Sequence, residues 1–194
     1  TTGVQMAYLK SWAARAHNDL TLRIPDLLPR SPRGKGRAYQ LDAAQAAACI
    51  HADVAYIDPP YNQHSYLGNY HIWETLVLWD KPPAYGIARK RTDCRERKSL
   101  FNSRTNFANA LASVLGALTT PTIILSFSNE GFMNREDMLT LLHSLWNASA
   151  KVETIEADHK RYVGAQIGIF NPQGKKVGKV SHLTNKEYLF IVRR

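Results

Sequence analysis

Residues 53–62 read Asp-Val-Ala-Tyr-Ile-Asp-Pro-Pro-Tyr-Asn, and this stretch constrains the fold more than any other. Val54 to Ile57 is a short apolar run between two aspartates, the pattern of a strand buried on both faces. Pro59 and Pro60 remove successive backbone donors, so a paired ladder cannot run on past Asp58. A residue before proline is also pushed away from helical geometry, which keeps Asp58 and Pro59 extended. A stiff loop is therefore expected at the carboxyl end of a buried strand, the edge at which open α/β sheets bind ligands. That loop presents a carboxylate, a proline carbonyl and an aromatic face. A flat ring with an exocyclic amine can stack on Tyr61 while the amine donates to Asp58 and to the Pro59 carbonyl. Two acceptors on one nitrogen draw its lone pair out of the ring and towards an electrophile, at little cost because the loop is pre-organised. An ordinary Asp-Pro turn is the plain alternative, and the full tetrapeptide after a hydrophobic strand weighs against it.

Around this centre the chain alternates strands and helices. Arg37 to Leu41 reads as a strand ended by Asp42, and Ala43 to Ile50 as an alanine-rich helix. With Val54–Ile57 they form a strand–helix–strand unit that puts Asp42 on the same sheet edge as Asp58. Asp42 is also placed to cap the helix that follows it. Phe107 to Leu118 and Arg135 to Trp146 carry apolar residues at helical spacing. Thr122 to Phe127 is a second buried strand, and its exit Ser128-Asn129-Glu130-Gly131 is another turn at the carboxyl edge. Residues 152–158 and 187–192 alternate well enough to be a closing antiparallel strand pair, with basic loops between them. Residues 62–79 begin as loop and become a helix. The stripe Tyr66, Tyr70, Trp73, Leu76, Val77 and Trp79 is expected to pack in the core for the most part, with Tyr66 and Tyr70 nearest the proline loop. Residues 1–24 have the spacing of a basic amphipathic helix, and residues 25–36 read as a basic loop rich in proline and glycine.

These residues carry a resemblance. Asp58-Pro59-Pro60-Tyr61 resembles the catalytic motif of amino-directed DNA methyltransferases. With Asn62 and the downstream Tyr70-His71-Ile72-Trp73-Glu74-Thr75-Leu76, the chain is similar to adenine-N6 DNA methyltransferases of the Dam-like group. It is most similar to the FokI-type enzymes of restriction–modification systems, through nearly its whole length. The resemblance implies a Rossmann-like α/β methyltransferase fold and S-adenosyl-L-methionine as cofactor. It gives Asp58, Pro59, Pro60 and Tyr61 the catalytic role, and makes Asp42 and Asp58 cofactor contacts. Asn62, Tyr66, Tyr70 and Glu130 become the residues facing the target base. Family members carry a Phe-x-Gly-x-Gly turn ahead of the tetrapeptide, and no such motif precedes residue 53. Gly34-Lys35-Gly36 does not replace it, since no strand leads into it. Residues 1–194 are thus expected to be one partial catalytic domain, with a missing N-terminal half or a second chain as a further partner.

Composition bears on the ligand. Twenty-five Lys and Arg against sixteen Asp and Glu give a formal charge of +9, and such a surplus favours polyanions through release of phosphate counterions. Six bases crowd one segment: Arg89, Lys90, Arg91, Arg95, Arg97 and Lys98. Of these, Arg89, Lys90 and Arg91 are read as DNA contacts, together with Lys160 and Arg161 just after residues 152–158. A solvated charged face is the alternative for each. Cys49 and Cys94 show neither a disulfide framework nor metal-ligand spacing, and His64 and His71 have no ligand partners, so no metal is expected. No apolar run reaches the ~18 residues of a membrane span, and no signal peptide is visible, which points to the cytoplasm. Three readings stay open at this point. One is adenine methylation in duplex DNA. The second is methylation of an amino group of cytosine in DNA or guanine in RNA. The third is a silent DNA-binding fragment.

Overall fold

The computed structural model describes residues 17–19, 21, 23–27, 29, 34–86, 88–146, 150–160, 175 and 183–194. The sheet is built outward from one strand, β4 (Thr122–Ser128). Its burial alternates, and Ile123, Leu125 and Phe127 point into the core with at most 1% of their surface exposed. On one side β4 pairs in parallel with β1 (Val54–Ile57), Val54 opposite Thr122 and Ile57 opposite Leu125. On the other it pairs antiparallel with β6 (Thr184–Arg193), Ser128 opposite Glu187. The outer strand β5 (Lys151–Lys160) pairs antiparallel with β6, which gives the order β1-β4-β6-β5. The closing antiparallel pair expected from the sequence is thus present, and the architecture is the Rossmann-like mixed sheet with helices packed on it.

The helices follow their periodicities. Helix α1 (Ala43–Cys49) starts where Asp42 accepts a hydrogen bond from the Ala44 amide at 2.9 Å. Helix α2 covers Tyr66–Leu78, and the one-turn helix α3 covers Asp93–Glu96. In α4 (Phe107–Ala117) the apolar positions fall on one face, and Phe107, Leu111, Val114 and Leu115 are buried. Helix α5 (Arg135–Trp146) opens with the Asn134 side chain accepting from the Asp137 amide at 2.8 Å, and it buries Met138 and Leu142. The core forms where α4 and α5 meet β4 and β6 through Phe107, Phe127 and Phe190, all essentially inaccessible. Truncating a ring such as Phe107 in a core of this density costs about 3–5 kcal/mol, more than any single surface ion pair supplies.

Three expectations are corrected. Strand β1 is not buried on both faces: Val54 is 51% and Tyr56 60% exposed. The cause is topology, because among the described residues only β4 pairs with β1. Ala55 and Ile57 face the core, and the alternate residues face outward. Residues 37–41 belong to no ladder, because no described strand lies beside them, and Tyr39 and Leu41 are exposed. The aromatic stripe of α2 is not core either. Trp73, Leu76, Val77 and Trp79 are about half exposed or more, while the residues α2 buries are Gly68 and His71. The helix packs its other side on the segment that follows it. The segment expected at residues 1–24 lies almost wholly outside the described residues.

That following segment, residues 80–98, is a small folded unit. The hairpin strands β2 (Ala84–Tyr85) and β3 (Lys90–Arg91) pair antiparallel around Gly86, whose φ of 68° is the left-handed turn geometry glycine tolerates. Arg91 holds the unit to α2. Its side chain is 6% exposed and forks onto Asp80 at 2.6 and 2.9 Å, onto Asp93 at 3.1 Å and onto Thr75 at 3.1 Å. Both partners hold the guanidinium in its charged form, and Asp80 in turn is kept below the usual carboxylate range, chiefly by its hydrogen bond from Arg91.

Beside this cluster His71 is 1% exposed, and its Nε2 has no hydrogen-bond partner. Burial holds its pKa below the ordinary value, and the nearby Lys90 and Arg91 charges push the same way. An unfolded chain takes up this proton first. Stability from His71 is therefore complete above about pH 6.5 and declines as pH falls below it. The denaturation midpoint of the native chain is expected to drop between pH 7.5 and 5.5, and His71→Leu should flatten that drop.

Candidate active site

Strand β1 stops at Ile57 for the reason its sequence gives: two prolines end its ladder. Asp58 is exposed and Pro59 is buried, while Pro60 and Tyr61 are half-buried. Strand β4 runs three residues beyond the level of Ile57, so its exit loop rises beside this corner. Two contacts join them. The Phe132 amide donates to the Tyr61 carbonyl at 2.9 Å. The Tyr61 ring meets Phe127 edge-on, with centroids 5.6 Å apart and planes at 65°. The exit loop is fastened to β6 as well, by Asn129 N–H to the Lys186 carbonyl at 3.0 Å and Lys186 N–H to the Asn129 side chain at 3.1 Å. Gly131 has no room for a side chain, because a Cβ there would stand 2.4 Å from the Phe127 ring.

Charge gathers at this corner. Burial raises the Tyr61 phenol above its ordinary pKa, and the negative groups of Glu187, Glu130 and Asp58 add to the effect. Burial also raises the Glu187 carboxyl, against the stabilising hydrogen bond it receives from the Ser128 hydroxyl. Tyr61 therefore stays a neutral aromatic with an intact O–H, and the corner as a whole favours cations and hydrogen-bond donors. Glu187 escapes a sequence reading. It stands opposite Ser128 only because of the β4–β6 register, and nothing in a ten-residue strand pattern fixes that register.

Two cavities meet at the tetrapeptide. The larger, about 590 Å³, lies between α1, β1 and α4; Asp42, Asp58, Pro59 and Pro60 line it, with apolar walls from Ala47, Ile50, Phe101 and Leu118. The smaller, about 180 Å³, is lined by Pro60, Tyr61, Asn62, His64, Tyr66, Asn69 and Tyr70. Pro60 belongs to both, so the tetrapeptide is their common wall. Tyr66 and Tyr70 stack with centroids 6.1 Å apart and planes at 22°.

The loop after Tyr61 is locked from a distance. Asn62 accepts from the His64 amide through its side chain at 3.0 Å. The Asn102 side-chain amide donates to the Asn62 carbonyl at 2.8 Å and to the His64 carbonyl at 3.1 Å, across 40 and 38 residues of sequence. From Asn62 to Tyr66 the residues alternate between two sides: Asn62, His64 and Tyr66 face the 180 Å³ cavity, and Gln63 and Ser65 face away from it.

The residues singled out in the sequence thus separate into groups. Asp42, Asp58, Pro59 and Pro60 share one cavity, and Tyr61, Asn62, Tyr66 and Tyr70 share the other. Glu130 is exposed and lines neither of them, though its charge reaches Tyr61. Arg89 is exposed at the hairpin turn with φ of 49°, and Lys90 is half-buried. Arg91 is turned inward on Asp80 and Asp93, which takes it away from solvent and from any DNA surface. A basic run alone does not reveal these carboxylate partners. Lys160, at the end of β5, is exposed three positions beyond Ala157, the residue level with Glu187. It therefore stands roughly 10 Å beyond the level of Glu187 along the strand. Arg161 lies outside the described residues.

The fold and the corner fit the Rossmann-like methyltransferase class. More narrowly, residues 1–139 match the family model for D12 class N6 adenine-specific DNA methyltransferases, and the chain belongs to that family. It is 30% identical over 194 residues to modification methylase StsI of Streptococcus sanguinis, covering all of this chain and 27% of that protein. It is 34% identical over 143 residues to the type II methyltransferase M.FokI of Planomicrobium okeanokoites, 74% of this chain and 22% of that protein. Type II methyltransferase M.NlaIII of Neisseria lactamica is 25% identical over 189 residues, 97% of this chain and 54% of that protein. The chain thus spans about a quarter of the length of the first two relatives. No solved structure matches it significantly.

Two substitutions test the bracing of the corner. Gly131→Ala forces the Phe127 ring to move and should cost about 1–3 kcal/mol of stability, as overpacking does; chemical denaturation reads this directly. Asn102→Asp sets a carboxylate against two carbonyl oxygens and removes two hydrogen bonds, each worth about 1 kcal/mol. Amide exchange measured across residues 61–65 should then quicken, with exchange in β4 unchanged.

Proposed function

We propose that this chain supplies the catalytic edge of an enzyme that methylates the 6-amino group of adenine in duplex DNA, within a restriction–modification system in the cytoplasm. The observation that carries the reading is the tetrapeptide acting as the shared wall of two cavities. Group transfer needs a donor and an acceptor molecule to meet at one point, and Asp58 to Tyr61 is where these two spaces touch.

In this reading the target adenine leaves the stack, since its amine is out of reach within a duplex. The base enters the smaller cavity beside Tyr61, with Tyr66 and Tyr70 forming its far side. The Asp58 carboxylate and the Pro59 carbonyl accept the two hydrogens of the amine. This orients the nitrogen lone pair towards the larger cavity; with the cofactor bound there, the new N–C bond would form as the methyl–sulfur bond breaks, the thioether leaves, and the surplus amine proton passes by way of Asp58 to solvent. Asn62 and Asn102 keep the loop from yielding. The charge at the corner favours a hydrogen-bond donor and a positive centre alike.

The larger cavity suits S-adenosyl-L-methionine. Its size is within the range of small-molecule sites, its walls are mainly apolar, and its two carboxylates, Asp42 and Asp58, complement a cationic ligand with amino and hydroxyl groups. Asp42 would hold the adenine end and Asp58 the reactive end. When bound, the cofactor supplies an electrophilic methyl group. The edge of β1 that no described strand pairs with is where the remainder of the catalytic domain would attach, from a longer chain or a second one. Arg89, Lys90 and Lys160 would contact the DNA backbone.

The test is transfer of labelled methyl groups to duplex DNA by the enzyme at its natural length, compared with Asp58→Ala. The variant should lose transfer entirely while its thermal midpoint stays within about a degree, because Asp58 is exposed and outside the core. Full activity of that variant, or label found in cytosine or in RNA, would overturn the assignment.

A further inference from the structure

A third cavity, about 470 Å³, lies on the far side of the catalytic loop from the base cavity. The loop residues Gln63 and Ser65 form one wall, and Lys98, Ser99, Asn102 and Ser103 face them. Its polar groups include an ammonium, hydroxyls and the Gln63 amide, all able to donate, while Asn102 already gives its amide hydrogens to the Asn62 and His64 carbonyls. No carboxylate lines it among the described residues. The neighbouring cations are engaged elsewhere. Arg91 is held by Asp80 and Asp93, Arg97 by Glu74 at 3.3 Å, and Arg95 lies 3.8 Å over the Tyr85 ring. Lys98 has no carboxylate within ion-pair distance among the described residues, and it faces this cavity. A donor-rich, carboxylate-free space around such a cation is complementary to an anion that only accepts hydrogen bonds.

We propose that this cavity binds a backbone phosphate of the DNA, with Lys98 as the charge contact. The proposal rests on the reading of the chain as a DNA methyltransferase and adds a contact to it. The same wall carries Asn102, whose amide donates to the Asn62 and His64 carbonyls. A phosphate seated here therefore touches the unit that holds the catalytic loop still. DNA binding and loop geometry are joined through the short segment 98–103. The loop puts base and phosphate on opposite sides of one short segment, Asn62 and His64 towards the base and Gln63 and Ser65 towards the phosphate.

The experiment is the salt dependence of binding to a synthetic DNA duplex, between about 50 and 200 mM sodium chloride. Removing the charge that neutralises one phosphate lowers the steepness of log affinity against log salt by about 0.9. Lys98→Gln should show that change and a several-fold weaker affinity at low salt. Gln63→Glu, which brings a negative charge into the cavity, should weaken binding about tenfold or more. Lys151→Gln removes the same charge at the opposite end of the sheet and should leave the slope unchanged. The proposal fails if Lys98→Gln behaves as Lys151→Gln does, or if the unaltered chain does not bind the duplex. It fails too if an RNA duplex of the same sequence binds as tightly with the same response to Lys98→Gln. Loss of methyl transfer with the Lys98 slope change intact would refute the proposed reaction and leave the phosphate site standing. Adenine methylation with no Lys98 effect would do the reverse.

Discussion

The parallel pairing of β1 with β4 is the constraint on which the rest depends. Four residue pairs, from Val54 and Thr122 to Ile57 and Leu125, decide that the proline loop leaves the sheet beside the exit of its neighbour. From that register follow the Phe132 amide on the Tyr61 carbonyl, the Tyr61 ring on Phe127 and the tight seat of Gly131. A slip of one residue would turn Ala55 and Ile57 away from the core and take Asp58 off the cavity, because side chains alternate along a strand. The fold therefore fixes the chemistry through one ladder, with the core below it resisting the slip.

A second theme is that the corner is braced by segments distant in sequence. Asn102 and Phe132 both bond to backbone carbonyls of the loop 61–64, and both sit in loops that lead into helices packed on the core. The loop gains its stiffness from these bonds as well as from Pro59 and Pro60. Proline restricts φ at its own position, but it cannot set where the following Asn62 and His64 point. That is done by the amide of Asn102, just beyond the folded unit of residues 80–98. The stretch after α2 thus has a structural part, held by Arg91, and a part that reaches the site through Asn102.

Much of this is legible from sequence because the signals are local. The helices over 43–50, 107–118 and 135–146 follow from spacing and caps, and β4 from its run of apolar residues. Asp42 and Asp58 do line one cavity, although the strand–helix–strand unit expected to join them lacks its first strand among the described residues. Other features depend on pairings that no short window contains. The place of Glu187 opposite Ser128 needs the β4–β6 register. The inward turn of Arg91 needs Asp80 and Asp93 folded around it, and a run of bases reads the same whether its members are solvated or buried. The aromatic stripe of α2 has the pattern of a core face, yet Val77 and Trp79 are more than four-fifths exposed. A periodic stripe states only that a face is apolar, and the partner that covers it is a matter of tertiary arrangement. Residues 37–41 have the composition of a strand, but a strand exists only beside another.

The alternation along residues 62–66 has a further consequence. Asn62, His64 and Tyr66 line one cavity and Gln63 and Ser65 the other, so a substitution at any one of these positions alters one compartment and leaves the lining of the other as it was. The chain bends at Asn62 and Gln63 and enters α2 at Tyr66, so this division belongs to the individual positions and is held by the bends and the helix start that set them.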